Sequence, residues 1–133
     1  MYRVIDFVES AMTRRVCLLN LNSGTIEECF DDSALVSREK NFDFMVKGKE
    51  YDCKIQLLGD FTSLSCDRTI VCEVIDREVV IGNTLMLKVK NGEDVYYVRK
   101  SVLNENEELQ SFRLLLLRKN LCQVDNVVHS DFI

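Results

Sequence analysis

Thr84 to Lys100 read TLMLKVKNGEDVYYVRK, and in this segment periodicity, turn chemistry and charge placement agree on one structure. Two runs that alternate apolar and polar residues flank Asn91-Gly92, a pair suited to the positive φ angles of a tight hairpin turn. The segment is therefore expected to form a β-hairpin. With a two-residue loop, Lys90 faces Glu93, Leu87 faces Tyr96 and Met86 faces Tyr97; a four-residue loop moves every partner by two and leaves the faces unchanged. Either way Leu85, Leu87, Val89, Tyr96 and Val98 form the inward set.

Outward from this hairpin the same pattern recurs. Tyr2 to Glu9 leans to strand, and Thr13 to Leu21 and Ile26 to Phe30 flank the turn residues Asn22-Ser23-Gly24-Thr25 as a further hairpin. Asp31 to Asn41 loses the alternation and predicts a connection with room for one helical turn near Asp32 or Ser33. Tyr51, Cys53, Ile55 and Leu57 alternate with Asp52, Lys54 and Gln56, which predicts a strand ended by Gly59-Asp60. Thr69 to Ile75 follows as another strand, with a turn at Asp76-Arg77-Glu78 before Val79 to Ile81.

Beyond Lys100 the signals change. Asn104 precedes Glu105, Glu107 and Glu108, and Arg118-Lys119 closes the segment before Asn120, an arrangement that suits helix ends and the helix dipole over 105–119. Phe112 to Leu117, with its four consecutive leucines, is equally compatible with an edge strand. Val124, Val127, Val128, Phe132 and Ile133 make the terminal segment too apolar for a free tail, so part of it is expected to dock. The fold expected is mainly β: a small antiparallel barrel or a sandwich, with a C-terminal helix or docked segment. A length of 133 residues with 47% hydrophobic content fits one domain over 1–133, its β core at about 2–100 and its C-terminal part at about 104–133.

MVKGKEYDCKI, Met45 to Ile55, resembles the opening of an OB-type or S1-like barrel, in which a glycine turn feeds a long first strand with alternate apolar residues. The resemblance covers about a dozen residues. It implies an oligonucleotide- or oligosaccharide-binding surface of aromatic and basic side chains on the middle strands. The chain departs from that pattern at Glu27, Glu28, Asp31 and Asp32, which are acidic, and Phe30, the aromatic residue among them, has a core-like parity.

Charge and cysteine usage narrow the function classes. The net charge is −5 and the pI near 4.9, which disfavours long-range attraction to nucleic acid or an anionic membrane. The longest aliphatic run, Leu114 to Leu117, is far short of the roughly 18–20 residues of a membrane span, and MYRVIDFVES carries acids where a secretion signal has an apolar core. Cys17, Cys29, Cys53, Cys66, Cys72 and Cys122 are dispersed without a CxxC pair and read as reduced thiols, so a cytoplasmic location is expected.

The outward hairpin residues Met86, Lys88, Tyr97, Arg99 and Lys100 place a ring among cations, a combination able to stack a base and neutralise phosphate; the plainer alternative is a solvated sheet face. Glu27, Glu28, Asp31 and Asp32 form an acidic patch for a basic partner, or simply a solvated acidic loop, and lack the spacing of a calcium loop. His129-Ser130-Asp131 has the letters of a catalytic triad, but sequence neighbours rarely adopt relay geometry; Cys66 is the cysteine placed for exposure. No catalytic residue, cofactor or metal site is expected. The function expected is a non-enzymatic binding module, a small acidic adaptor or inhibitor with a protein partner, with an OB-like single-stranded nucleic-acid binder as the alternative. The oligomeric state is not legible.

Overall fold

The computed structural model describes residues 1–104, 106 and 108–133. In chain order these form β1 (Tyr2–Glu9), β2 (Arg14–Asn20), β3 (Ile26–Asp31), the single helical turn α1 (Ser33–Val36), β4 (Glu50–Tyr51), β5 (Cys53–Thr62), β6 (Thr69–Ile81), β7 (Thr84–Asn91) and β8 (Asp94–Arg99). A 3₁₀ turn at Lys100–Leu103 leads to β9 (Ser111–Val124), followed by β10 (Val127–Val128) and a second 3₁₀ turn at Ser130–Phe132.

Five strands close on themselves: β6–β7–β8 is an antiparallel meander, β8 runs parallel to β5, β5 is antiparallel to β9, and β9 pairs back to β6. The result is a small closed β-barrel. It is mixed, where alternation alone predicted an antiparallel one, because β5 and β8 meet across distant parts of the chain and no hairpin dictates their direction. The β1–β2–β3 meander continues the sheet through one parallel bridge, Phe30 to Asn120, and β4 lies at its outer edge. Val4, Val16, Leu18 and Cys29 of the meander share one buried cluster with Ile55, Leu87, Val98 and Leu114 of the barrel. Polar contacts add to this: the Asp94 carboxylate accepts from Ser23 Oγ at 2.6 Å and Thr25 Oγ1 at 2.8 Å, tying the β2–β3 turn to the barrel.

The β7–β8 hairpin forms with the shifted register, Leu87 opposite Val98, Val89 opposite Tyr96 and Asn91 opposite Asp94, so its two-residue loop is Gly92-Glu93 and not Asn91-Gly92. Gly92 takes φ +61°. Leu87, Val89, Tyr96 and Val98 are buried as expected, but Leu85 is exposed, near the end of β7 where it pairs with the equally exposed Val80. α1 begins at Ser33, and the terminal segment docks through Phe132.

The helix expected over 105–119 is not present: Ser111 to Val124 is one long strand, while Glu105 and Glu107 lie outside the described residues. Asn104, with φ +49°, closes the 3₁₀ turn, its N–H donating to the Ser101 carbonyl, and does not open a helix. The reason is tertiary, since β9 is flanked on both sides, by β5 along most of its length and by β6 over residues 111–115. Gly59 does not end β5. A Cβ there would sit well inside the van der Waals radius of the Leu115 carbonyl oxygen, so glycine permits the strand to continue past a bulge. Likewise Asp76-Arg77-Glu78 does not reverse the chain but makes an irregularity inside the continuous β6.

Candidate binding surfaces

The outward hairpin surface is rearranged by the C-terminal segment. Met86 is fully buried and Tyr97 is 9% exposed; both belong to a second apolar cluster with Ile81, Cys122 and Phe132. This cluster lies on the outer face of the barrel under the tail. Phe132 is held by its carbonyl, which accepts from Asn83 N at 2.6 Å and Thr84 Oγ1 at 3.0 Å, and by the Arg99 guanidinium 4.5 Å above its ring. Burial raises the Tyr97 phenol above its ordinary range. Met86 and Tyr97 therefore present no open surface, while Lys88, Arg99 and Lys100 remain half-buried at its rim.

The acidic patch also resolves into separate structural roles. In β3 the inward residues are Glu27, Cys29 and Asp31, not Phe30, which is only half-buried. Glu27 has a side chain 0% exposed, with Oε1 2.6 Å from Lys119 Nζ of β9. Tyr96 shares this pocket, 3.3 Å from Lys119 Nζ, and burial together with the neighbouring Glu27 carboxylate pushes its phenol up strongly. Asp31 is 2.8 Å from Arg14 Nε and accepts the Ser33 N–H at 2.9 Å; Arg14 also donates to the Phe42 carbonyl at 2.6 Å. Those bonds position α1 and the loop after it. Glu28 is exposed, 3.9 Å from Arg15. Burial with a partner, rather than solvation, is the reason these acids do not form a continuous negative surface.

Asp32 joins a different group. His129 is buried, its Nε2 2.6 Å from Asp32 Oδ1, while its Nδ1 accepts the Asp131 N–H at 3.0 Å. The second bond places the ring proton on Nε2, directed at Asp32. Asp32, His129 and Asp131 bring ligand atoms within 4.8 Å of one another, but both ring nitrogens are already engaged. Ser130 Oγ is buried without a partner among the described residues and bonds neither nitrogen, so the three consecutive residues make no relay.

Around this histidine the structure assembles a polar cleft of roughly 150 Å³ that the sequence pattern does not announce. Arg118 and Asn120 of β9, Gln56 and Leu58 of β5, and Arg99 at the end of β8 come together because their strands are neighbours. Phe30, Asn120, Gln56 and Tyr97 stand in one row across β3, β9, β5 and β8. In the next row Arg118 is opposite Leu58. The Arg118 guanidinium lies 4.0 Å above the Phe30 ring, with Nε donating to Asn120 Oδ1 at 2.9 Å. Asn120 Nδ2 in turn donates to Gln56 Oε1 at 3.3 Å.

A second concavity, about 340 Å³, opens where β9 bulges against β5. Leu58 pairs with Arg118 and Gly59 with Leu116, so Leu117 has no partner across the β5 ladder. Leu117 is 75% exposed, Leu115 beside it 38%, and Val71 on the adjoining strand is exposed on the same face. Among the cysteines, Cys66 is exposed in the β5–β6 connection, Cys17 is half-buried, and Cys29, Cys53, Cys72 and Cys122 are buried, all as free thiols. No helix is long and apolar enough to cross a membrane among the described residues. In comparisons with protein families, curated proteins and solved structures, the chain matches none.

Proposed function

We propose that this chain is a non-enzymatic barrel module of the cytoplasm that binds another protein through the bulged stretch of β9. The observation that carries this reading is Leu117, turned out at 75% exposure beside Leu115 and over a groove walled by β5 backbone and Arg68. Scattered exposed leucines are ordinary, but a bulge that re-aims an apolar side chain next to a groove supplies both a knob and a receptor for a partner's side chains. The chain's net charge of −5 favours a partner with a basic surface around the contact.

The test is capture from a cytoplasmic extract with the wild type and with Leu117→Lys, together with a photo-crosslinker placed at position 117. A partner crosslinked by the wild type and lost in the variant, with stability changed by less than about 0.5 kcal/mol, supports the reading. An identical partner set for both proteins refutes it. The OB-like single-stranded nucleic-acid alternative would have to use Lys88, Arg99 and Lys100 without an open Tyr97 ring, since that ring is covered. It calls for oligonucleotide affinity that falls steeply with salt.

A further inference from the structure

The polar cleft beside the C-terminal tail is a separate feature, on the other side of the Leu58 position from the leucine groove. Two guanidiniums line it, and each is held over an aromatic ring: Arg99 over Phe132 and Arg118 over Phe30. Among the described residues neither has a carboxylate within ion-pair distance, whereas the arginine of the core, Arg14, is paired with Asp31. Register explains how they meet. Gln56 is opposite both Asn120 and Tyr97, so two residues further along, Leu58 stands between Arg118 and Arg99. Their backbones are then two strand spacings apart, about 10 Å, a span that two arginine side chains close around a small anion.

The opposite wall differs in chemistry. Asp32 is engaged by the His129 Nε2–H, and Asp131 stands exposed at the rim, so this side offers acceptors. A ligand satisfying both walls carries an oxyanion toward the arginines and hydroxyl or amino donors toward the aspartates. The volume of roughly 150 Å³ is several times the space of one water, enough for a small acid. We infer that the cleft formed by Arg99, Arg118, Asn120 and His129 binds a small carboxylate or phosphate that also bears hydroxyl or amino groups. Pre-stacking on Phe132 and Phe30 restricts both guanidiniums before the ligand arrives, which lowers the ordering cost of binding.

The experiment is a ¹H–¹⁵N NMR titration of the full chain at low salt, with inorganic phosphate, malate and a mixed-sequence single-stranded DNA as separate probes. Saturable shifts at Arg99, Arg118, Asn120 and His129 with malate or phosphate are expected, and malate binding tighter than phosphate assigns the ligand to the hydroxy-acid class. Arg118→Gln, at an exposed position, should weaken binding at least about tenfold, and Arg99→Gln similarly, with Lys88→Gln unchanged. Absence of saturation with both small anions, affinity equal to wild type in the two arginine variants, or shifts produced by the oligonucleotide alone and centred on β7–β8 would each overturn the inference. Chemical-shift dispersion of each variant in the absence of ligand reports whether it has folded.

Discussion

Replacing Lys119 by methionine removes the cation that serves a fully buried carboxylate. Glu27 lies on the inward side of β3 with its side chain inaccessible; Oε1 is held by Lys119 Nζ at 2.6 Å, and Oε2 has no partner among the described residues. Lys119→Met keeps the aliphatic stem that packs beside Tyr96, whose ring centroid is 4.9 Å from Nζ, so the change is confined to charge and hydrogen bonding. What remains is a buried carboxylate that has lost its cation. Breaking a buried pair from one side costs about 3–5 kcal/mol, a large part of the roughly 5–15 kcal/mol by which domains are stable. The double variant Glu27→Gln with Lys119→Met removes the stranded charge and should recover most of that loss. Urea unfolding followed by far-ultraviolet circular dichroism measures all the proteins, since the chain has no tryptophan. A Lys119→Met protein within about 0.5 kcal/mol of wild type, or a double variant no more stable than the single, would refute the reasoning.

Three further outcomes follow from other parts of the molecule. Gly59→Ala drives a methyl into the Leu115 carbonyl, backbone that cannot rotate aside, and should cost about 3 kcal/mol or more in the same urea assay. Phe132→Ala deletes the anchor of the tail and should cost about 3–5 kcal/mol, with Tyr97 becoming accessible to a fluorescence quencher; an unchanged quenching profile would show that the tail does not cover it. Burial raises the thiols of Cys53, Cys72 and Cys122 from 9.0 to about 12. The neutral form is thus favoured in the folded state, so the contribution is complete below pH 9 and is lost between pH 9 and 12, at about 1.4 kcal/mol per pH unit for each thiol ionised on unfolding. Urea midpoints in reducing buffer should fall from pH 8 to pH 11, and a flat profile would contradict the burial.

Much of the β architecture is legible in the chain because hairpins are local. Asn91-Gly92, Asn22-Ser23-Gly24 and the alternations around them specify β2–β3 and β7–β8 without reference to the rest of the molecule. The Ser33 helical turn and the strand at Cys53 to Leu57 are legible for the same reason. β9 is not. Against β5 its register slips by one residue at Cys122 and again at Leu117, so the inward parity runs through Phe112 and Leu114, changes to Leu121, and returns at Val124. No period of two survives two slips, and a leucine run without a period reads as helix or strand alike.

The candidate sites failed to show in the sequence on similar grounds. Lys119 and Glu27 are 92 residues apart, and Asp32 and His129 are 97 apart, so nothing in the acidic stretch reveals that its members have partners. The parity of β3 was also ambiguous, because burying Phe30 looks cheaper than burying Glu27 until a lysine is known to stand opposite.

Sequence by itself therefore determined the class of structure: short strands, their turns, an acidic net charge, and a terminal segment too apolar to remain free. Tertiary structure alone decided that five of the strands close into a mixed barrel, that the tail covers Met86 and Tyr97, and that Arg99 and Arg118 face one cleft. The division follows from range. Turn geometry and side-chain alternation act over a few residues, whereas barrel closure, strand bulges and buried ion pairs depend on which distant segments come to lie side by side.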